Sequence, residues 1–225
     1  SNLSSCLILM LMVFILTFIV GKHPKMHLII AAVGIVMIVI FIMWLKANMP
    51  LDSEMDKYPY QIRRFFGWLD PERYAGTLGY QPLQSLYAIG SGGLLGKGLG
   101  NGTQKLSNIP EAQNDMIFAI ICEELGLIGV IIMFLMFGYL LYQMVIVVKE
   151  SRNIYASVVV IGVILHIIFQ IIVNVCVAVN FFPNTGVSLP FISAGGSAII
   201  CTLMEIGLVI GIWRQQVNRK YSRIS

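Results

Sequence analysis

The chain alternates long apolar runs with short polar breaks. Crossing a hydrocarbon core takes about 20 mostly apolar residues. Five stretches read as spans, at about 3–20, 27–45, 116–148, 154–180 and 196–213. At ~1.5 Å per residue the third exceeds the core, so its first turns, which carry Glu123 and Glu124, are expected to stand outside the lipid. Between the second and third spans, residues 46–115 form a long loop with turn residues throughout. A Gly/Pro loop covers 181–197, and a basic tail runs over 214–225. The pattern predicts an all-α polytopic membrane protein, a single membrane domain with about five transmembrane helices and a large extracytoplasmic loop.

Composition excludes a soluble reading. The chain is 57% hydrophobic and 12% charged, with a mean hydropathy of +0.83. In lipid, helices satisfy such a backbone internally. The apolar run at Cys6 follows no basic segment and carries no small-residue cleavage site, so it is not read as a signal peptide. With Ser1 in front of it, the chain reads as a fragment of a longer protein. Cys6, Cys122, Cys176 and Cys201 lie far apart in apolar runs without metal spacing, and read as small buried hydrophobes.

Charge sets the orientation. The turns at 22–25 and 149–153 and the tail carry eight Lys/Arg against one acid, Glu150, whereas 46–115 carries seven of each sign. Parity puts the basic segments on one side, which the positive-inside rule makes cytoplasmic. The net charge of +4 is therefore a topology signal, and no nucleic-acid partner is inferred. Both 46–115 and 181–197 then lie on the outer face, where Asp115 and Gly195-Gly196-Ser197 are expected to line one cleft.

Four stretches could carry chemistry. Tyr58–Leu69 is aromatic and basic, which suits a helix lying in the interface with Phe65, Phe66 and Trp68 in lipid and Arg63 and Arg64 at phosphates. It reads as an anchor or as a site for a lipid pyrophosphate. Residues 90–102 hold seven glycines in thirteen positions, with Lys97 among them. They read as a flexible loop or a phosphate cradle, though not a P-loop. Asp115 reads locally as a helix N-cap, an arginine partner or a working carboxylate. Glu111, one helical turn earlier, could join it in holding a divalent cation or raise its pKa towards a general base. Glu123 lies about 80° around a helix from Asp115 and Glu124 nearly opposite, so Glu123 is expected to share the cleft. In the fourth span His166, Gln170 and Asn174 form a polar stripe, read as interhelical hydrogen bonding, and Glu205 sits mid-span in the last helix.

Distinctive wording recurs along the chain: Gln84-Ser-Leu-Tyr-Ala-Ile-Gly-Ser-Gly-Gly, Gly96-Lys-Gly, and Pro110-Glu-Ala-x-x-Asp-x-Ile-Phe-Ala followed by Glu-Glu-Leu-Gly. Asn174, Pro183-x-Thr-Gly-Val and Leu189-Pro-Phe-Ile-Ser-x-Gly-Gly-Ser follow. Together these motifs carry a resemblance to the SEDS family (FtsW, RodA, SpoVE). It covers essentially the whole chain in order, with Asn2-Leu-Ser-Ser similar to the start of the family's sixth membrane helix. Departures are Gln113-Asn114 where His-Thr is common, Met116 for Phe, Ser188 for Pro and Ala194 for Tyr. The wording around Pro110 leans towards the division and sporulation branch.

This resemblance implies the second half of a ten-helix bundle and a peptidoglycan glycosyltransferase that polymerises lipid II at the outer face of the bacterial plasma membrane. It implies Asp115 as the catalytic carboxylate and a class B penicillin-binding protein as partner. A divalent cation (Mg or Mn) is implied too, for which Glu111 and Asp115 are the candidate ligands, and no organic cofactor. Lys97, Lys105, Arg63, Arg64, Gln84, Ser91, Glu123, Ser193 and Ser197 are the substrate-binding candidates, for lipid II and the undecaprenyl-linked glycan. The expected reaction is an inverting transfer with Asp115 as base. The rival readings are a lipid II flippase and a scaffold for the penicillin-binding protein.

Overall fold

A computed structural model of the chain describes residues 3–21, 24–102, 114–151 and 153–221. Seven α-helices are described: α1 Leu3–Val20, α2 Pro24–Ala47, α3 Tyr60–Leu69, α4 Tyr80–Gly92, α5 Ile117–Glu150, α6 Ile154–Ala178 and α7 Gly196–Tyr221. A 3-10 turn at Asp52–Lys57 precedes α3, and there is no strand among the described residues. The protein is an all-α polytopic membrane protein. α2, α5, α6 and α7 are long and apolar enough to cross a membrane, while α1 offers a shorter apolar stretch, Ile8–Ile19.

Local chemistry places the ends. Pro24 opens α2 at a position whose N–H a helix would leave unbonded anyway. The Asn153 side chain caps α6 by accepting from Tyr155 N at 3.0 Å. α6 stops where Asn180 turns left-handed (φ 56) and Phe181 N bonds back to Cys176 O at 2.7 Å. α7 runs on through Arg214 to Tyr221, beyond the span end expected at 213, because no Gly or Pro interrupts Arg214-Gln-Gln-Val-Asn-Arg-Lys-Tyr.

The main core joins α5, α6 and α7 through Phe118, Met133, Phe137, Val160, Ile167 and Val209, and α1 packs on α6. His166 Nδ1 on α6 meets Glu205 Oε1 on α7 at 2.7 Å, and Gln170 Nε2 reaches His166 Nε2 at 3.1 Å. Of the polar stripe, His166 thus bonds across to Glu205 of α7, Gln170 braces His166 from the next turn of α6, and Asn174 turns to loop backbone. Cys122 is buried and Cys176 partly so, whereas Cys6 and Cys201 are exposed against expectation because they sit on outward faces of α1 and α7.

Residues 46–102 are more than a loop. Leu45, Met55, Phe66 and Tyr74 form a small core of their own, and Tyr74 OH donates to Pro50 O at 2.7 Å. Phe66 is therefore fully buried in protein instead of facing lipid. Phe65 stacks edge-on against Phe41 of α2. This layer sits at the end of the bundle where α6 finishes, opposite the turn between α5 and α6, and segment 179–195 lies against it.

Candidate active site

Two buried side chains sew the turn before α5 to segment 186–193. Asn174, fully buried in the last turns of α6, donates through Nδ2 to Asp115 O at 2.9 Å and to Val187 O at 2.8 Å. Ser193 Oγ donates to Asn114 O at 2.8 Å and accepts from Leu189 N at 2.7 Å. Both bonds to the turn end on main-chain oxygens. The Asp115 carboxylate is half-buried and does not cap α5, whose N-cap is Met116 without a side-chain bond. It points towards Gly186, where a Cβ would stand 3.4 Å from Asp115 Oδ2.

Gly186 leads to the arginine side of the site. Its N–H donates to Asn184 Oδ1 at 3.2 Å, and Asn184 Nδ2 donates to Gln81 Oε1 of α4 at 2.7 Å. Arg64 of α3 donates to Asn184 O at 3.3 Å and to Tyr60 OH at 2.9 Å, with its guanidinium 4.6 Å from the Tyr60 ring centre. Trp68 Nε1 donates to Asn180 O at 3.1 Å. A cavity of about 150 Å³ opens among α3, the start of α4 and Asn184. Arg63 is half-buried beside the same tyrosine, 5.9 Å from its ring centre.

The glycine stretch has a different task from either reading made of it. α5 breaks at Gly126 (φ 63, ψ −164), a conformation open essentially to glycine alone. Segment 93–98 docks across that break. Lys97 N donates to Glu123 O and Gly98 N to Glu124 O, both at 2.9 Å. Leu127 N and Ile128 N donate to Gly93 O and Leu94 O at 3.0 and 3.2 Å. Backbone polar groups left over by a helix break need such partners at the edge of a membrane. A Cβ on Gly96 would overlap the Glu124 carbonyl, and one on Gly126 would overlap the Gly96 amide. Lys97 Nζ then meets Glu123 Oε1 at 2.7 Å, with the glutamate fully buried.

Glu123 was expected beside Asp115 and instead pairs with Lys97 in this clip. Gly102 packs against both Glu123 and Glu124, leaving 3.1 and 3.2 Å between a Cβ there and their oxygens. The angular argument fails because Asp115 lies in a turn, outside the helix whose phase it assumed.

Comparison with known proteins now has a geometry to stand on. The family described as cell cycle protein, FtsW/RodA/SpoVE, matches residues 1–218. The chain belongs to this family. It is 41% identical over 156 residues to stage V sporulation protein E of Bacillus subtilis (strain 168), covering 69% of this chain and 43% of that protein. It is 32% identical over 213 residues to a probable peptidoglycan glycosyltransferase FtsW of Trichlorobacter lovleyi, covering 90% of this chain and 56% of that one. A solved structure titled "Structural coordination of polymerization and crosslinking by a peptidoglycan synthase complex" superposes with a TM-score of 0.71 at 26% identity, over 96% of this chain and 56% of that one. The chain thus spans about half the length of the relatives it matches.

Within this FtsW/RodA/SpoVE chain the candidates separate into three places. Asp115 and Arg64 belong to one site, joined through Asn184 and Gly186. Lys97 and Glu123 belong to the clip. Ser193, expected at the substrate, is buried and holds loop backbone on both its bonds. Ser91 is exposed at the end of α4 with its Oγ returned to Ala88 O at 3.0 Å. Gln84 is half-buried on α4, and Ser197 is exposed in the first turn of α7. Lys105 and Glu111 lie outside the described residues. Tyr60, Gln81 and Asn184 were not singled out. Tyr60 lay within the aromatic, basic stretch Tyr58–Leu69 and Asn184 within Pro183-x-Thr-Gly-Val, while Gln81 carried no sign.

A divalent cation would need several oxygen ligands. Asp115 supplies one carboxylate beside Gly186, the other candidate ligand, Glu111, lies outside the described residues, and among the described residues no three His, Cys, Asp or Glu come together.

The Asn174 bonds make a direct prediction. Asn174→Ala removes donors from two carbonyls at once and is expected to cost about 2 kcal/mol. The check is the thermal unfolding midpoint in detergent, with Asn174→Gln restoring little because the longer amide cannot reach both oxygens.

Proposed function

We propose that this chain carries the catalytic site of a peptidoglycan glycosyltransferase that polymerises lipid II into glycan strands. The observation that carries the reading is the position of Asp115, whose backbone is fixed by Asn174 and whose carboxylate stands beside Gly186. The chain's likeness to probable peptidoglycan glycosyltransferases FtsW supports the substrate class.

In the proposed reaction Asp115 takes the proton from the 4-hydroxyl of the acceptor's N-acetylglucosamine. That oxygen forms a bond to the anomeric carbon of the growing chain's terminal N-acetylmuramate. The bond from that carbon to the pyrophosphate oxygen breaks with inversion, and undecaprenyl pyrophosphate leaves with the electron pair. Only one protein carboxylate is needed, since no glycosyl-enzyme forms. Charge on the departing pyrophosphate calls for cations, and Arg63 and Lys105 are the candidates. Lys97, held by Glu123, serves the fold instead.

The basic residues Lys25 and Lys149 at the opposite end of the bundle support an extracytoplasmic site in the bacterial plasma membrane. A class B penicillin-binding protein is the proposed membrane partner, supported by the solved neighbour's place in a synthase complex.

The test uses the full-length parent in proteoliposomes, supplied with fluorescent lipid II and its penicillin-binding protein, with strands resolved by gel. Strands from wild type are expected, and their absence overturns the proposal. Chelation is run alongside, and strands lost with EDTA and restored by magnesium would bring Glu111 forward as a ligand.

A further inference from the structure

The cavity between α3 and α4 has a chemistry that the general-base reading does not use. It is lined by Tyr60, Arg64, Trp68, Tyr80, Gln81 and Asn184, with Thr77, Leu78 and Pro82 completing its wall. Three aromatic rings, two carboxamides and three hydroxyls surround a space of about 150 Å³. Among the described residues no carboxylate and a single cation line it.

Three ligand classes can be weighed against that wall. A pyrophosphate would leave most of its charge unmatched, because Arg64 is alone and already donates to Asn184 O and Tyr60 OH. A polyprenyl chain would desolvate two amides and a guanidinium for no return. A pyranose ring fits, since it has a flat C–H face for aromatic contact and a rim of hydroxyl and N-acetyl groups for amides. Pockets for drug-sized molecules run to about 300–1,000 Å³, so a cavity of about 150 Å³ suits one ring.

The position selects which ring. Asn184 lines the cavity, and two residues on Gly186 faces Asp115 Oδ2. Two extended residues reach about 7 Å, roughly the width of a sugar. The base must touch the attacking hydroxyl, so a ring seated here belongs to the acceptor. We propose that this cavity is a subsite for an N-acetylated hexose ring of the acceptor, with Tyr80, Gln81 and Asn184 as specificity-determining residues. The proposal rests on the glycosyltransferase reading.

The Asn184–Gln81 bond also explains how the subsite stays shaped. Its 2.7 Å contact spans 103 residues of sequence and ties the loop beside Asp115 to α4. An amide pair of this kind holds both side chains in place before the sugar arrives.

Two variants test it in the full-length parent in proteoliposomes. Gln81→Ala removes an amide from the wall, and Thr77→Trp fills the cavity from its exposed rim. Both are expected to raise KM for lipid II about five- to tenfold with kcat within about twofold, as loss of one or two neutral hydrogen bonds does. Tyr155→Ser, exposed at the far end of α6, is the control and leaves both constants unchanged. The soluble, lipid-free N-acetylglucosamine–N-acetylmuramate disaccharide is the binding probe, read by saturation-transfer NMR on its acetyl methyls. Signal in wild type and Asp115→Ala that disappears in Thr77→Trp supports the subsite. Unchanged KM in both cavity variants, with Asp115→Ala inactive, overturns the subsite and leaves the enzyme reading standing. Full polymerisation by Asp115→Ala overturns the reading beneath it. If Gln81→Ala fails to fold, Thr77→Trp decides alone.

Discussion

Asp115→Asn is expected to polymerise lipid II about 10²- to 10⁴-fold more slowly than wild type, the usual contribution of a positioned general base. The backbone of the turn is held independently of that side chain. Asn174 bonds the Asp115 carbonyl, and Ser193 bonds the Asn114 carbonyl, so neither contact notices the change of side chain. Membrane insertion should therefore match wild type while strands vanish. The same variant separates the rivals. A flippase that used Asp115 for polar lining would keep its flux with the isosteric amide, and a scaffold would keep its partner and lose nothing. Strand synthesis by Asp115→Asn at wild-type rate would refute the general-base role.

Gly126→Ala is expected to cost about 3 kcal/mol or more, and to lower the yield of folded protein several-fold. Two effects add. The backbone at φ 63, ψ −164 is strained by about 1–3 kcal/mol for any residue with a Cβ. That Cβ would also drive into the Gly96 amide and crowd the Leu94 carbonyl at 2.6 Å, opening the four backbone bonds of the clip. Gly138→Ala in the same helix is the control, since nothing stands within 4 Å of a Cβ there. It should be neutral or stabilising by up to about 1 kcal/mol. Fluorescence-detected size exclusion after a temperature ramp measures both. Equal behaviour of the two variants would show that the clip contributes nothing.

How far the residues foretold this arrangement depends on the range of each interaction. The long helices were legible because lipid forces apolar runs of a certain length, as in α2 and α6. The His166–Glu205 seam was legible as a stripe because helical period puts His166, Gln170 and Asn174 on one face. Asp115 stood out through resemblance, since its local pattern equally suited a cap. The clip was hidden for a physical reason. Its bonds run between main-chain atoms, and any sequence offers those. The available signal was Gly126 inside an apolar run too long for one bilayer crossing, read as a continuous helix. Arg64 and Asn184 lie 120 residues apart, beyond what periodicity or motif spacing reports. The aromatics of α3 were assigned to lipid because amphipathicity says that a face is buried without saying against what.

The break in α5 also resets helical phase. In an unbroken helix each residue turns the next by about 100°, so the side that faces the site would dictate the side that faces lipid. Here residues 118–124 are buried on nearly all sides, adjacent Glu123 and Glu124 included. Beyond Gly126 burial narrows to one stripe through Val130, Met133, Phe137 and Met144, with Ile128, Leu135 and Tyr139 turned outward. Residues 127–150 alone reach about 36 Å, enough for a core of about 30 Å. The lipid-facing side of the membrane-crossing piece is thus set by the geometry at Gly126, apart from the side on which the glutamates are seated.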